Sequence, residues 1–378
     1  MIEQKEEKGK QKPIGIMNHW MVNNYGALFL AYALEKAIME LGYQVETISY
    51  LQDEVRRPWK FSMIKKVGLI TYLMRLGYFL VFILPRERSF RHIRNQMKTS
   101  AKVYTDRTAA QIGEDYEKVM IGGDQLWNCK INYFHINHFL PFIQEKERKS
   151  VYAASLSQDK MREGFEDTFR ELAEGFGYIT AREQRAVEII EELTHREVDR
   201  VTDPAFFLSA AEWGQLAKPD PKQSKPFCFV YQVQSDREVV SFAEKIAKKR
   251  GLEVVYCPFP LKKQIKCKRK PYISPEEWLW YMQNADYVVT DAFHGTVFSI
   301  LFNRPFVVEI SEYGKDTGSR ITNILDIYSL QDRLMVKGDC IGADTPIDFE
   351  KINRKIEEEV QFGKQKLKEI LGETSGRR

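Results

Sequence analysis

"VVTDAFHGTVFSILFNRPFVV", residues 288–308, decides the fold. An apolar strand breaks at Asp291-Ala292-Phe293-His294-Gly295-Thr296, resumes as the helix "TVFSILFN", and is followed by the strand "RPFVVEI". Strand, helix and strand in so short a span form a βαβ unit, and such units build parallel sheets. A strand feeding a helix needs a turn, but the turn needs no histidine. His294 is therefore either a capping residue under a loop or a proton donor at the mouth of a parallel sheet.

The same alternation extends in both directions. "PIGIMNHW" is a strand that leads through "MVNNYGA" into the helix "LFLAYALEKAIMELG" and the strand "YQVETISY". "YEKVMIGGDQLWN", "KSVYAASLS" and "GYITAREQRAVEIIEEL" repeat the rhythm, and "REVDRVTDPAFFL" closes the first half. The proline- and lysine-rich "AKPDPKQSKP" at 217–226 reads as a joint. Beyond it "FCFVYQV", "REVVSFAEKIAKKRG", "LEVVYCPF" and "SPEEWLWYMQNA" run up to the opening stretch. The expectation is an α/β protein with two Rossmann-like domains facing a central cleft, at 13–216 and 225–347. A helical insertion is expected at about 55–100, and a C-terminal helix and tail at 348–378, the helix packing across a domain edge.

A chain of 378 residues is longer than one core comfortably serves, in keeping with two domains. Hydrophobic residues at 43% and charged residues at 29% describe a soluble globular chain, and a net charge of +4 is too mild to imply nucleic acid. The five cysteines are scattered, with no C-x-x-C and no histidine at metal spacing, which favours a reducing cytosol and no metal site. "MIEQKEEKGKQK" lacks an apolar core and reads as a solvated tail, not a secretory signal.

Residues 67–84, "VGLITYLMRLGYFLVFIL", complicate this picture. They approach bilayer-spanning length, but a span would put two strands of one sheet on opposite sides of a membrane. Two readings stay open: a buried helix pair, and an in-plane helix on an anionic membrane. Arg56, Arg57, Lys60, Lys65 and Lys66 before it and Arg86, Arg88 and Arg91 after it suit the second.

Ligands of open parallel sheets bind beyond the carboxyl ends of strands. Four polar turns fall there: Asn23-Asn24-Tyr25-Gly26, Gly122-Gly123-Asp124-Gln125, Thr180-Ala181-Arg182-Glu183 and Asp291 to Thr296. A turn opening a helix presents unpaired N–H groups and the positive dipole end, which suits an anion. Each turn has a structural alternative. The glycines suit a tight turn, Arg182-Glu183 a surface ion pair, and Asp291 suits a helix N-cap better than catalysis.

"NNYGALFLAYALEKAIMELGYQVETISY", "VMIGGDQLWN", "VYAASLS", "ITAREQRAV", "VTDPAFFLSAAEW" and "ADYVVTDAFHGTVFSILFNRPFVV" together resemble the polysaccharide pyruvyl transferase family. The resemblance runs in order from about residue 14 to residue 335, and "GGDQLWN" and "TDAFHGT" are its specific stretches. It implies a GT-B-like pair of domains. It also implies a transferase that moves pyruvate from phosphoenolpyruvate onto sugar hydroxyls of a cell-surface glycan or exopolysaccharide, forming a ketal, with no cofactor beyond that donor. The acceptor is a glycan or lipid-linked saccharide, the location cytoplasmic, with peripheral contact at the inner face of the plasma membrane as the in-plane reading of 67–84.

By the same resemblance Arg182 grips carboxylate or phosphate, Lys315 and Arg320 are matching cations, and His294 aligns with the family's histidine. The enol phosphate needs a proton on its methylene carbon before a hydroxyl attacks C2, and imidazolium suits that task. Asp291 and Asp124 are both candidates for the general base. Asn24, Gly26, Gly123, Gln125, Trp127, Asn128, Gly295 and Thr296 are the substrate-binding positions of the turns. Trp20 and Tyr25 join Trp127 and Asn128 as residues that either meet a sugar or pack in the core. Ala292 stands where some members carry a basic residue, which shifts the phosphate load onto Arg182, Lys315 and Arg320.

Two other functions compete. A glycosyltransferase of this fold using a nucleotide sugar often carries two glutamates eight apart in its second domain. Glu309 and Glu312 lack that spacing. A non-catalytic glycan-assembly protein is expected to lose His294 or Arg182, and both are present.

Overall fold

In the computed structural model the described residues are 12–52, 68–131, 134–233, 237–258, 268–269, 273–310 and 318–372. The first sheet contains β1 (Ile14–Met17), β2 (Val45–Tyr50), β3 (Thr99–Tyr104), β4 (Lys118–Asp124), β5 (Lys149–Ala154), β6 (Tyr178–Ala181) and β7 (Asp199–Arg200). Its order is β3-β2-β1-β4-β5-β6-β7 and every pairing is parallel. The second contains β8 (Phe227–Gln232), β9 (Glu253–Pro258), β10 (Lys268–Arg269), β11 (Tyr287–Thr290), β12 (Phe306–Glu309) and β13 (Leu334–Met335). Its order, β10-β9-β8-β11-β12-β13, repeats the doubly wound pattern. In each sheet the strand order reverses at one point, between β1 and β4 in the first and between β8 and β11 in the second.

Four strands have no counterpart in the sequence reading. β7, β10 and β13 are two residues each, too short to carry a period of two. β3 begins where the helical insertion was expected to end. As an edge strand it exposes Ala101, Lys102 and Val103, so its pattern does not alternate.

The helix Tyr25–Glu40 joins the two domains. From Tyr25 to Glu35 every residue is buried, because one side packs on the first sheet and the other meets the second domain. Tyr25 stacks on Trp278 with ring centroids 5.5 Å apart, and Phe29 packs on Trp278 and Phe298 at 5.5 and 5.4 Å. The Tyr25 hydroxyl donates to the Ile273 carbonyl at 2.8 Å. A single apolar core therefore runs from β1 through this helix to β8 and β11.

The C-terminal helix Phe349–Leu371 returns to the first domain, burying Ile352, Leu367, Ile370 and Leu371 in that core. Its Glu359 accepts two bonds from Arg200 Nη2 at 2.7 Å. The cross-edge packing expected of this helix is thus a clasp onto the β7 side of the first sheet.

Residues 69–94 fold as the helix Leu69–Tyr78, the π-helical turn Phe79–Ile83 and the short helices Leu84–Ser89 and Arg91–Arg94. Among the described side chains of 67–84, Leu73, Met74, Leu80 and Val81 are 54, 70, 51 and 59% exposed. The buried-pair reading does not hold for them: Tyr72 turns inward, and they turn out to solvent. No helix among the described residues is long and apolar enough to cross a membrane. Arg56, Arg57, Lys60, Lys65 and Lys66 lie outside the described residues.

Trp278 stands at the centre of the interdomain cluster. Trp278→Ala is expected to cost about 3–5 kcal/mol, the range for emptying a buried aromatic site, read as a lower urea midpoint.

Candidate active site

The two strand-order reversals face each other across a cleft of about 410 Å³. From the first sheet, Asn18 and His19 follow β1, Asp124 and Gln125 end β4, and Tyr50 ends β2. Asp291, Ala292, Phe293 and His294 follow β11 on the opposite side, with Arg320 from the helix Ser319–Ile327. Asn24 and Ala27 line the cleft at the start of the joining helix.

His294 is the second residue of the helix Phe293–Leu301 and is 8% exposed. Its Nε2 lies 3.6 Å from Asp203 Oδ2. On the other side it presses against Gly26, where an added Cβ would fall 2.1 Å from His294 Nδ1. Gly26 is thus a steric requirement: only a residue without a side chain lets the joining helix meet the histidine. Gly295 has a similar task, since a Cβ there would lie 2.2 Å from Thr290 Oγ1. Its absence lets the helix start pack against the end of β11.

Beneath His294 lies a buried charge cluster. Arg182 donates from Nη1 to Asp203 Oδ2 at 2.5 Å and from Nε to Glu183 Oε1 at 3.0 Å. Ser155 donates to the same Glu183 oxygen at 2.7 Å. Burial raises the Asp203 carboxyl, but His294, Arg182 and the Ala205 N–H outweigh it and hold the group well below the usual carboxylate range. Two carboxylates here face one guanidinium, and His294 lies against the second of them, Asp203.

The first sheet contributes a second constellation. Asp124 sits at φ 132°, a strained conformation for a residue with a side chain. Its Oδ1 accepts from the Gln125 N–H at 2.8 Å. With the Gln125 amide oriented to satisfy both its atoms, Oε1 accepts from Arg320 Nη1 and Nη2 at 2.5 and 2.7 Å and from Ser157 at 3.1 Å. This pins the cation of the second domain to the first. Among the described residues no group of three His, Cys, Asp or Glu side chains is gathered as metal ligands.

The model of the family described as polysaccharide pyruvyl transferase matches residues 24–309. The chain belongs to that family. Its members are transferases, and the match spans both halves of the cleft. No curated protein matches the sequence significantly. Among solved structures, a Listeria monocytogenes protein assigned as a UDP-N-acetylglucosamine 2-epimerase is similar with a TM-score of 0.52 and 10% identity, over 97% of this chain and 98% of that one. The Neisseria meningitidis UDP-GlcNAc 2-epimerase, bound to UDP-GlcNAc, is similar with a TM-score of 0.51 and 9% identity, over 95 and 98%. At such identity the likeness is one of fold, the two-domain GT-B-like arrangement.

Not every family-matched position reaches the cleft. Arg182 is buried behind the Phe293 ring, 4.2 Å from its centroid, while Arg320 lies 5.5 Å from the same ring. Arg182 lines a separate cavity of about 20 Å³ with Arg200 and Tyr328, and its charge is taken up by Asp203 and Glu183. The surface-pair alternative fails too, since this pair is buried. Asp291 is not an N-cap. Ala292 holds that position without a side-chain bond, and Asp291 Oδ1 accepts from the Val233 N–H at 2.6 Å. The joining helix Tyr25–Glu40, by contrast, has a side-chain cap: Asn24 Oδ1 accepts from the Ala27 N–H at 3.2 Å.

Trp127 stacks on Phe139 and donates to the His138 carbonyl, so it is core. Trp20 donates to the Ile48 carbonyl, and Tyr25 belongs to the interdomain cluster. Asn128 and Thr296 are buried, the latter bonded to the Ala292 carbonyl, and Gly123 packs on Leu30 and Pro204. Glu309 is buried and does not line the cleft. Lys315 and Glu312 lie outside the described residues. His19, His138 and Asp203 went unassigned in the sequence reading. Asp203 stands in "VTDPAFFL", but only the fold brings it to His294.

The Asp203 shift sets a test. Its folded value lies below the unfolded value of about 3.9, so its contribution is complete above that value and lost as pH falls through the lower folded one. Asp203→Asn is expected to cost about 3–5 kcal/mol at neutral pH, because Arg182 loses a buried partner. It should also flatten the decline of stability below roughly pH 4. Urea unfolding across that range measures both.

Proposed function

We propose that the chain transfers pyruvate from phosphoenolpyruvate to two hydroxyls of a glycan, releasing phosphate and forming a cyclic ketal. The observation that carries this reading is His294 held between Gly26 and the ionised Asp203 at the edge of the cleft. A carboxylate behind an imidazole fixes its orientation and stabilises the protonated ring. His294 lines the cleft and is the proton donor to the methylene carbon of the donor in this reading. Arg320 supplies positive charge to the phosphate or carboxylate in the same cleft. Arg182 acts at one remove, since it sets the field of Asp203 and backs the Phe293 ring.

Phosphoenolpyruvate should raise the melting temperature by mass action, and UDP-sugars should raise it less. His294→Gln should lower turnover by about 10²–10⁴-fold while keeping that thermal shift. A shift with UDP-sugars and none with phosphoenolpyruvate would favour a nucleotide-sugar glycosyltransferase instead.

The acceptor is lipid-linked in this reading, and the protein works at an anionic membrane face. Exposed Leu73, Met74, Leu80 and Val81 precede exposed Arg88 and Arg91 in one helical run. That run also holds the cleft rim. Arg86 Nη2 donates to the Asn23 carbonyl at 2.8 Å, and Arg94 Nη2 donates to the Met21 and Val22 carbonyls at 2.9 Å. Co-sedimentation with anionic vesicles should exceed that with neutral ones, fall with salt, and be lost in Leu73→Asp/Val81→Asp. Equal recovery on neutral and anionic vesicles would remove the membrane from the reading.

A further inference from the structure

We propose that His19 is the general base that takes the proton from the attacking acceptor hydroxyl, an assignment that rests on the pyruvyl-transfer reading above. His19 follows β1 and lies on the opposite wall of the cleft from His294. The two imidazoles thus approach a bound donor from the two strand-order reversals, one per domain. An addition that needs a proton on C3 and a deprotonated oxygen at C2 calls for an acid and a base on different sides of a planar enol phosphate. Two opposed walls meet that need.

Their surroundings differ in the way the two tasks require. His294 has the carboxylate of Asp203 behind it. His19 is half-buried in the lining of the cleft, and the His138 ring meets its own edge-on at 5.3 Å. Burial pushes the His19 imidazole below the ordinary histidine value, and the Asp124 carboxylate only partly offsets this. The ring is therefore neutral at physiological pH and able to accept a proton. His138 is fully buried and held still further down, by burial first and then by His19 and His135, so it adds no charge beside His19. The other titratable groups lining the same cleft are Tyr50 from β2, Tyr231, Asp291 and His294 from the second sheet, and Arg320, which is tied to Gln125. Asp124, in the same cleft lining and acting on His19 through its charge, is then the stabiliser of the imidazolium formed in the reaction.

The protons balance. His294 gives its proton to C3 of phosphoenolpyruvate while the first hydroxyl oxygen bonds to C2 and its proton passes to His19. In the second half the neighbouring hydroxyl bonds to C2 and the C2–O bond to phosphate breaks. The departing phosphate takes the proton from His19, and the second hydroxyl's proton restores His294. Acceptor diol and phosphoenolpyruvate thus become ketal and inorganic phosphate, with both histidines as they began.

The test is the pH dependence of phosphate release from phosphoenolpyruvate, with a lipid-linked or nitrophenyl sugar as acceptor. Wild type should show an acid limb from His19. His19→Gln should lower turnover by about 10²–10⁴-fold, lose the acid limb, and keep the thermal shift with phosphoenolpyruvate. Asp124→Asn should keep the acid limb but move it to lower pH, since the lost carboxylate raised the His19 value. Should His19→Gln lack the wild-type circular dichroism spectrum, this displacement decides alone, and an unmoved limb overturns the proposal. An active wild type with an unimpaired His19→Gln, or a slow His19→Gln that keeps its acid limb, overturns the base and leaves pyruvyl transfer standing. A wild type that releases no phosphate with any acceptor overturns both.

Discussion

The helix Tyr25–Glu40 has almost no solvent face, and the arrangement of the cleft follows from that. A helix apolar all round must be covered all round. Here one side is covered by the first sheet and the other by the Trp278 and Phe298 helices of the second domain. Its one buried acid, Glu35, accepts from Thr47 Oγ1 at 2.6 Å and from the Lys98 N–H at 2.8 Å, so the burial leaves no orphaned carboxylate. Because the same helix begins with Asn24 and Gly26 at the cleft, the packing that joins the domains also sets the distance between their strand ends.

Charge placement depends on this packing. Asp203 comes from the first domain and His294 from the second, and their approach requires both the shared core and the missing side chain at Gly26. Gln125 and Arg320 form a second link of the same kind across the cleft. The site is therefore built from pairs that neither domain holds alone. A domain movement that separated the strand ends would disconnect the histidine from its carboxylate and the arginine from its amide together.

Most of the architecture was legible in the chain. Long strands and helices carry their period in the order of apolar residues, and βαβ repetition implies parallel sheets without reference to any contact. The short strands β7, β10 and β13 and the edge strand β3 were not legible, because neither two residues nor an exposed edge leaves a pattern. For the site, the four turns at strand ends were identified and three of them line the cleft, through Asn24, Asp124 and His294. The fourth, Arg182-Glu183, lies behind Phe293. A guanidinium looks the same in a sequence whether it faces a ligand or a pair of buried carboxylates.

The sequence by itself determined the fold class and the turn in which His294 stands, since these depend on local spacing. Tertiary structure alone decided the partners. Asp203 lies ninety-one positions before His294 and Asn24 a further 179 before that, and no periodicity links them. It also decided that Trp127 and Tyr25 are core, that Asp291 bonds to Val233 just past β8 and not to its own helix, and that His19 and Asp124 line one cleft. Such facts depend on which strands become neighbours, and in a doubly wound sheet β1 and β4 are adjacent although a hundred residues separate them. That long-range adjacency is a property of the packed chain and of no segment within it.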